Sequence, residues 1–498
     1  MSSESNYIGG IWETPPGDLP SSVRHNPARR EQQLYTLRWD TTIVAQAAAA
    51  AREAQRGWER LGFDGRLPYL ERLAAIFTTR REELARAIAL EAGKPLWEAR
   101  GEAGALAAKI GVMATEGAAF TRPVHPDGLA GGSWNYRALG VLAVLGPFNF
   151  PLHLPNGHIV PALLSGNTVI VKPSELTSGA MSLYFRCLEE AGFPPGVVNL
   201  VHGGGELGAA LVASRDIDGV LFTGSWETGL RIRRATIDHP GKLLALEMGG
   251  KNTSIVCDDA NLEQAVHEIA QAAYLTTGQR CSATSRVVVH HSVADAFTEA
   301  FVALSARVTC GDPLTEDAFM GPLVDERAYQ KFLSAQQDDE GGKLQPLLVG
   351  GSARDDLDGC FVKPAVWRAR ELDPHGSHQS DEIFGPDVVI YTARSDEEAA
   401  RIANATEYGL AMSVFTADED RFGDFVYDLR AGIVNQNRST CGASSRLPFG
   451  GVKKSGNNRP AAILAGLYCT YPQAYLQNEA AWDASQLGVA PLSLLDGA

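Results

Sequence analysis

Basic residues are in deficit in this sequence: 44 Lys and Arg face 59 Asp and Glu, a net charge of −15 over 498 residues. A surface this acidic repels nucleic acid and anionic membrane, and no basic cluster offsets it, so neither is expected as a partner. Long apolar runs are also missing. The most apolar stretch, 141–171, is broken by Pro147, Asn149, Pro151, His153, Pro155, Asn156, His158 and Pro161, which excludes a transmembrane helix there. The opening "MSSESNYIGGIWE" has neither the basic nor the apolar region of a signal peptide, so a cytoplasmic location is expected. Cysteine is sparse and scattered. The seven residues form no CxxC pair and have no close histidine partners, so no metal site and no disulfide framework are expected.

What is present is an ordinary globular composition, 45% hydrophobic and 21% charged, in a chain too long for one core. Residues 41–121 are rich in Ala, Glu, Arg and Leu and predict three long amphipathic helices. From 141 onward, short apolar runs end in Gly or Pro and alternate with helical stretches: "VLAVLGP", "TVIVKP", "VVNLVHG", "GVLFTG", "KLLALEMGG" and "TSIVCDD". Continuous apolar strands between helices predict a parallel sheet covered on both faces. A second series, "SRVVVHH", "FVKPAVW", "VVIYTA", "MSVFTA" and "AGIVNQN", predicts a second α/β domain. Residues 121–140 and those after 470 fit neither series and could form an appended sheet.

Several stretches carry residues suited to chemistry. In "VLFTGSWETG", Gly224 opens a turn after a strand, and Ser225 and Glu227 suit a helix start, where backbone N–H groups favour an anion. "VHGGGELG", around Gly203, is a similar glycine-rich turn. "VIVKPSE" puts Lys172 and Glu175 just past a strand end, where ribose hydroxyls bind in doubly wound sheets; a solvated charge pair fits the position equally well. In "LEMGGKN", Glu247 follows an apolar strand and should have a raised pKa, as a general base needs; the alternative is a structural carboxylate satisfied by backbone N–H groups. Asn149 in "GPFNFPLHLPNG" is held between two prolines, either as a turn residue or as an amide aimed at a developing oxyanion. Cys281 in "GQRCSATSR" follows a helix that begins at an Asn261 cap and is expected to end at Gly278. By residue type alone it packs as readily as it reacts, but a loop position favours reactivity.

In their order along the chain, "PFNFP", "VKPSE", "FTGSWETG", "LEMGGKN", "GQRC", "EIFGP" and "PFGGVKKSG" resemble the aldehyde dehydrogenase superfamily. The resemblance implies an α/β fold with a Rossmann-like NAD-binding domain (1–120 and 141–248), an α/β catalytic domain (249–446) and a small β oligomerisation arm with a C-terminal tail (121–140 and 447–498). It implies Cys281 as nucleophile, Glu247 as general base and Asn149 as oxyanion donor. Cofactor contacts would come from Lys172, Glu175, Gly203, Gly224, Ser225, Gly229, Glu382 and Phe384. The implied cofactor is NAD, with NADP as the alternative, and the implied assembly is a homodimer or homotetramer. "HLPNGHIVPALL" and "SGNNRP" are similar to a branch that oxidises small semialdehydes bearing carboxylates. The expected carboxylate anchors are Ser282, backbone N–H groups at Gly442 and Ala443, and Arg280, Arg438 or Arg446. Leu152, Trp226 and Cys441 depart from the branch pattern, and Leu152 and Cys441 are expected to narrow the substrate tunnel.

Overall fold

The structure is a computed structural model that describes residues 4–315 and 317–477. The expected tail beyond 477 lies outside these residues. The chain begins with strands β1 (Asn6–Ile8) and β2 (Ile11–Glu13) and a hairpin, β3 (Ser21–Asn26) and β4 (Arg29–Arg38). Helices α1 (Ile43–Arg60), α2 (Gly62–Thr79), α3 (Arg81–Ala92) and α4 (Leu96–Thr115) follow, four where three were expected. The breaks have local causes. Gly62 takes a φ of 69° between α1 and α2. Gly93 ends α3 at a φ of 75°, and a Cβ there would lie 2.9 Å from Pro322. Only glycine takes up both the conformation and the close approach.

After β5 (Gly132–Ala138) the chain alternates: β6 (Val141–Leu145), α5 (His153–Leu164), β7 (Thr168–Lys172), α6 (Ser178–Glu190), β8 (Val198–Leu200), α7 (Gly205–Ala213), β9 (Gly219–Gly224), α8 (Trp226–Ala235) and β10 (Leu243–Met248). These strands make a parallel sheet in the order β10-β9-β6-β7-β8, which β1 and β2 extend antiparallel. Alternate residues serve its two faces. Leu142, Val144, Val169 and Val171 pack under α2 to α6, and Val141, Ala143 and Ile170 pack against α1, α7 and α8.

The chain then crosses to a second sheet through Gly249 and Gly250. "TSIVCDD" had been grouped with the first series, but β11 (Asn252–Val256) pairs with strands of the second sheet. Helix α9 (Leu262–Tyr274) comes next, then β12 (Thr284–His290), β13 (Leu344–Leu348), β14 (Ala365–Ala369), β15 (Asp387–Ala393), β16 (Ala411–Phe415) and β17 (Ile433–Gln436). The order is β13-β14-β15-β12-β11-β16-β17, parallel except for β13. Strand β18 (Thr470–Leu476) pairs antiparallel with β5, so the two segments that fit neither series meet in one ribbon. No helix among the described residues is long and apolar enough to cross a membrane.

Helix α4 carries charge into the interior. Glu102 pairs with Lys94 at 2.7 Å, and both side chains are 0% exposed. The same carboxylate accepts the N–H groups of Leu152 and His153, each at 3.1 Å, and so fixes the start of α5. The Lys94 ammonium also stands 3.6 Å over the Phe150 ring. Removing one partner of such a pair leaves a buried charge uncompensated. Lys94→Met is therefore expected to cost about 3–5 kcal/mol, read as a lowered thermal midpoint. Glu82→Ala, which breaks the exposed pair with Arg100, should leave the thermal midpoint nearly unchanged, because solvent screens that pair.

Candidate active site

The carboxyl ends of β6, β7, β9 and β10 open on one cavity of about 1090 Å³, and the loop after α9 closes it from the second sheet. Cys281, Glu247, Asn149, Lys172, Glu175, Gly224, Ser225, Glu382 and Phe384 all line it. Gly203 and Gly229 do not. A Cβ on Gly203 would meet Leu207 at 2.8 Å and Trp39 at 2.9 Å, and one on Gly229 would meet the Met248 sulfur at 2.2 Å. These two glycines let α7 and α8 pack closely.

The Cys281 loop is held by distant charge. Helix α9 starts at Asn261, whose side chain accepts the Gln264 N–H at 3.1 Å. It ends at Tyr274, four residues before the expected Gly278. Thr276 and Thr277 then take left-handed φ values of 55° and 57°, which cost energy for a β-branched residue unless the surroundings impose them. Glu98 on α4 imposes them. Its carboxylate accepts the Thr276 N–H at 2.9 Å, the Thr276 hydroxyl, and the Arg280 guanidinium at 2.6 Å. Burial pushes the Glu98 carboxyl up, but Arg280, Lys94 and the Thr276 bond together bring it below the ordinary range.

Asn149 is buried in the loop between β6 and α5, and its amide donates to the Gln279 carbonyl at 2.9 Å. That bond places the amide beside the Cys281 loop and leaves a second N–H to donate into the cavity. The Cys281 carbonyl accepts from the Asn252 amide at 2.8 Å, and a Cβ on Gly250 would come within 2.3 Å of that carbonyl. Burial pushes the Cys281 thiol well up, and Glu382 and Glu247 add to the effect.

Glu247, near the end of β10, is buried, and its Oε2 has no hydrogen-bond partner. A carboxylate satisfied by backbone N–H groups is therefore not what stands here. Burial raises its pKa well above the ordinary range, the condition that favours a general base near neutral pH. Glu382 accepts the Gly250 N–H at 2.8 Å, and burial lifts it to about 7. The Phe384 ring meets Phe148 edge-on at 5.7 Å. The buried Lys172 ammonium donates to the Pro173 carbonyl at 2.7 Å and lies 3.7 Å from the half-exposed Glu175 carboxylate. Ser225 caps α8 by accepting the Thr228 N–H at 3.3 Å, so the helix start faces the cavity.

The expected carboxylate anchors divide. Ser282, Arg280 and Ala443 line the cavity, whereas Gly442, Arg438 and Arg446 do not. Arg446 pairs with Glu116 at 2.8 Å, and Arg280 is already committed to Glu98. Leu152 is fully buried in the core of the first sheet and does not narrow the tunnel. Cys441 does line it, with the Ser282 hydroxyl donating to its sulfur at 3.4 Å. Trp226 lies outside the cavity wall, with the Lys454 ammonium 5.5 Å from its ring. Lys109, His153 and His158 also line the cavity, a role not expected of them from sequence. Lys109 had a legible signal, because Glu98, Glu102 and Lys109 recur at helical spacing among the apolar positions of α4.

With this geometry in hand, comparison with known proteins gives a consistent result. The profile of the Aldehyde dehydrogenase family matches residues 18–472. The chain belongs to the aldehyde dehydrogenase family. It is 41% identical over 478 residues to an N-succinylglutamate 5-semialdehyde dehydrogenase of Escherichia coli K12, covering 95% of each chain. Among solved structures it is similar to an NAD-dependent aldehyde dehydrogenase from Sinorhizobium meliloti, with TM-score 0.90, 30% identity and coverage of 97% and 96%. It is likewise similar to a 1-pyrroline-5-carboxylate dehydrogenase from Thermus with bound NAD, with TM-score 0.89, 30% identity and coverage of 95% and 92%. Like its relatives, this aldehyde dehydrogenase is an oxidoreductase acting on aldehydes. Asn149 stands beside the Cys281 loop, and losing one oxyanion donor costs about 10² to 10³ in kcat. Asn149→Ala is expected to lose activity on that scale in steady-state assays, with cofactor affinity little changed. A near-normal kcat would reduce Asn149 to a turn residue.

Proposed function

We propose that this aldehyde dehydrogenase oxidises N-succinylglutamate 5-semialdehyde to N-succinylglutamate with NAD. The observation that carries the reaction is the meeting, in one cavity, of the Cys281 thiol, an uncompensated Glu247 carboxylate and the Asn149 amide. The substrate rests on the relative of that name, which matches over 95% of both chains.

The donor set of the cavity fits a dinucleotide. Lys172 and Glu175 at the end of β7 offer an ammonium and a carboxylate for ribose hydroxyls. The start of α8 at Ser225 offers backbone N–H groups for a pyrophosphate. Glu382 and Phe384 offer a second carboxylate and an aromatic face. When bound, NAD supplies a hydride acceptor and one positive charge.

The chain's own groups do the rest. Glu247 takes the Cys281 thiol proton, the sulfur forms a C–S bond to the aldehyde carbon, and the C=O π pair moves onto the oxygen, an oxyanion that accepts from the Asn149 amide. After oxidation the acyl group is held on Cys281 as a thioester. Glu247 takes a proton from water, the water oxygen bonds to the acyl carbon, and the C–S bond breaks to release the acid and the thiol. The raised pKa of Glu247 makes it the stronger base for both proton transfers. Glu175 favours NAD because its carboxylate accepts from ribose hydroxyls and repels a 2′-phosphate.

The test is kcat/KM for N-succinylglutamate 5-semialdehyde, glutamate 5-semialdehyde and hexanal, each with NAD and with NADP. The succinylated aldehyde with NAD should give the highest value, and Glu175→Gln should raise the NADP value relative to NAD. Equal use of hexanal would overturn the substrate assignment, and equal use of NADP by the unaltered enzyme would overturn the cofactor assignment.

A further inference from the structure

Lys109 on α4 is 4% exposed and lines the same cavity as Cys281. No acidic group offsets it, and burial alone lowers its pKa to about 8. The other buried charges around α4 are matched: Lys94 with Glu102, and Arg280 with Glu98. A buried ammonium is costly unless something anionic meets it, and a fold that balances its other charges here leaves this one open to the cavity.

The space in front of Lys109 is built for a ligand. Facing it on α5 is Gly157, where even a Cβ would lie 3.9 Å from the lysine Cε, so no side chain fills the gap. One turn earlier, His153 also lines the cavity, and its Nδ1 is buried without a partner. Burial lowers His153 to about 4, and Lys109 itself contributes to that shift, so the ring is neutral near pH 7. In the tautomer protonated at Nδ1, it donates a hydrogen bond without adding charge. The remaining titratable neighbour on α5, His158, bonds to Tyr468 at 2.8 Å and Thr223 at 3.2 Å. Glu102, the nearest acid to His153, is held by Lys94 and two backbone N–H groups. One ammonium and one neutral donor match a single carboxylate.

We propose that Lys109, assisted by His153, binds a carboxylate on the tail of the aldehyde and is the group that makes this enzyme select anionic substrates. The assignment rests on the aldehyde-oxidising reading above, and it replaces the arginines expected in that role, which are paired elsewhere or outside the cavity. In this assignment Lys109 meets the tail carboxylate and not the reacting carbon, so its loss acts on binding.

The test compares the unaltered enzyme with Lys109→Met, Lys109→Gln and Lys109→Arg on N-succinylglutamate 5-semialdehyde, glutamate 5-semialdehyde and hexanal. Turnover of hexanal also reports whether each variant is folded. Lys109→Met and Lys109→Gln are expected to lower the kcat/KM ratio of the preferred anionic aldehyde to hexanal by roughly 10²-fold, mainly through KM. Lys109→Arg should restore part of that ratio. If the ratio survives Lys109→Met, or if all aldehydes fall together, the Lys109 assignment is wrong while the proposed substrate stands. If glutamate 5-semialdehyde is preferred and Lys109→Met abolishes that preference, the substrate is wrong while Lys109 stands. If the unaltered enzyme uses hexanal as well as either anionic aldehyde, both fall.

Discussion

Three buried charges and a largely buried fourth, Arg280, hold the site together at the junction of the two sheets. Lys94 and Glu102 fix the start of α5 and the loop that carries Asn149. Glu98 and Arg280 fix the left-handed turn that presents Cys281. None of these charges is stable in an apolar interior alone, so each is tolerated only when its partner arrives in register. Lys94 and Glu102 are only 8 residues apart, but Glu102 also reaches the Leu152 N–H 50 residues on, and Glu98 and Arg280 are 182 residues apart. Satisfying the charges therefore forces α4, the loop after β6 and the loop after α9 into one arrangement. That arrangement brings the thiol and the amide together at the edge of the cavity. Phe150 lies beneath it, with both the Lys94 ammonium and the Arg280 guanidinium over its ring.

Against this balanced set, Glu247 and Lys109 stand out. The Glu247 carboxylate has an unpartnered oxygen, and no counter-charge meets Lys109. Each costs stability, and each lines the same cavity as Cys281. Such exceptions to local balance concentrate where a fold performs chemistry. The carboxylate at the strand end suits proton transfer, and the ammonium in the tunnel suits a substrate that brings its own negative charge. The same physical cause, desolvation, raises the pKa of the carboxylate and lowers that of the ammonium.

Much of this was legible in the residues. The alternation of apolar runs and helices predicted two parallel sheets, because buried strands read as continuous hydrophobic segments. Cys281, Glu247 and Asn149 were legible because each stands in a short motif whose chemistry is local. Gly203 and Gly229 do not line the cavity and serve the close packing of α7 and α8, and a glycine of that kind looks, in sequence, like one that admits a phosphate. The placement of β11 turned on a two-glycine crossing that strand patterns do not encode. The end of α9 was misplaced because Glu98, far away in sequence, imposes a turn that threonine would not choose. Lys109 was overlooked because its meaning depends on which other charges find partners, a property of the folded chain. Its place in an apolar stripe beside Glu98 and Glu102 was visible all the same.

The central claim is that Cys281 carries the acyl group and Glu247 releases it. The most direct measurement is intact-protein and peptide mass spectrometry of Glu247→Gln, quenched during turnover of N-succinylglutamate 5-semialdehyde with NAD. The account predicts an acyl adduct that approaches one per chain and maps to Cys281, because hydrolysis has lost its base while acylation continues. An adduct mapped to Cys441, or NADH formation at the unaltered rate with no adduct, would contradict it.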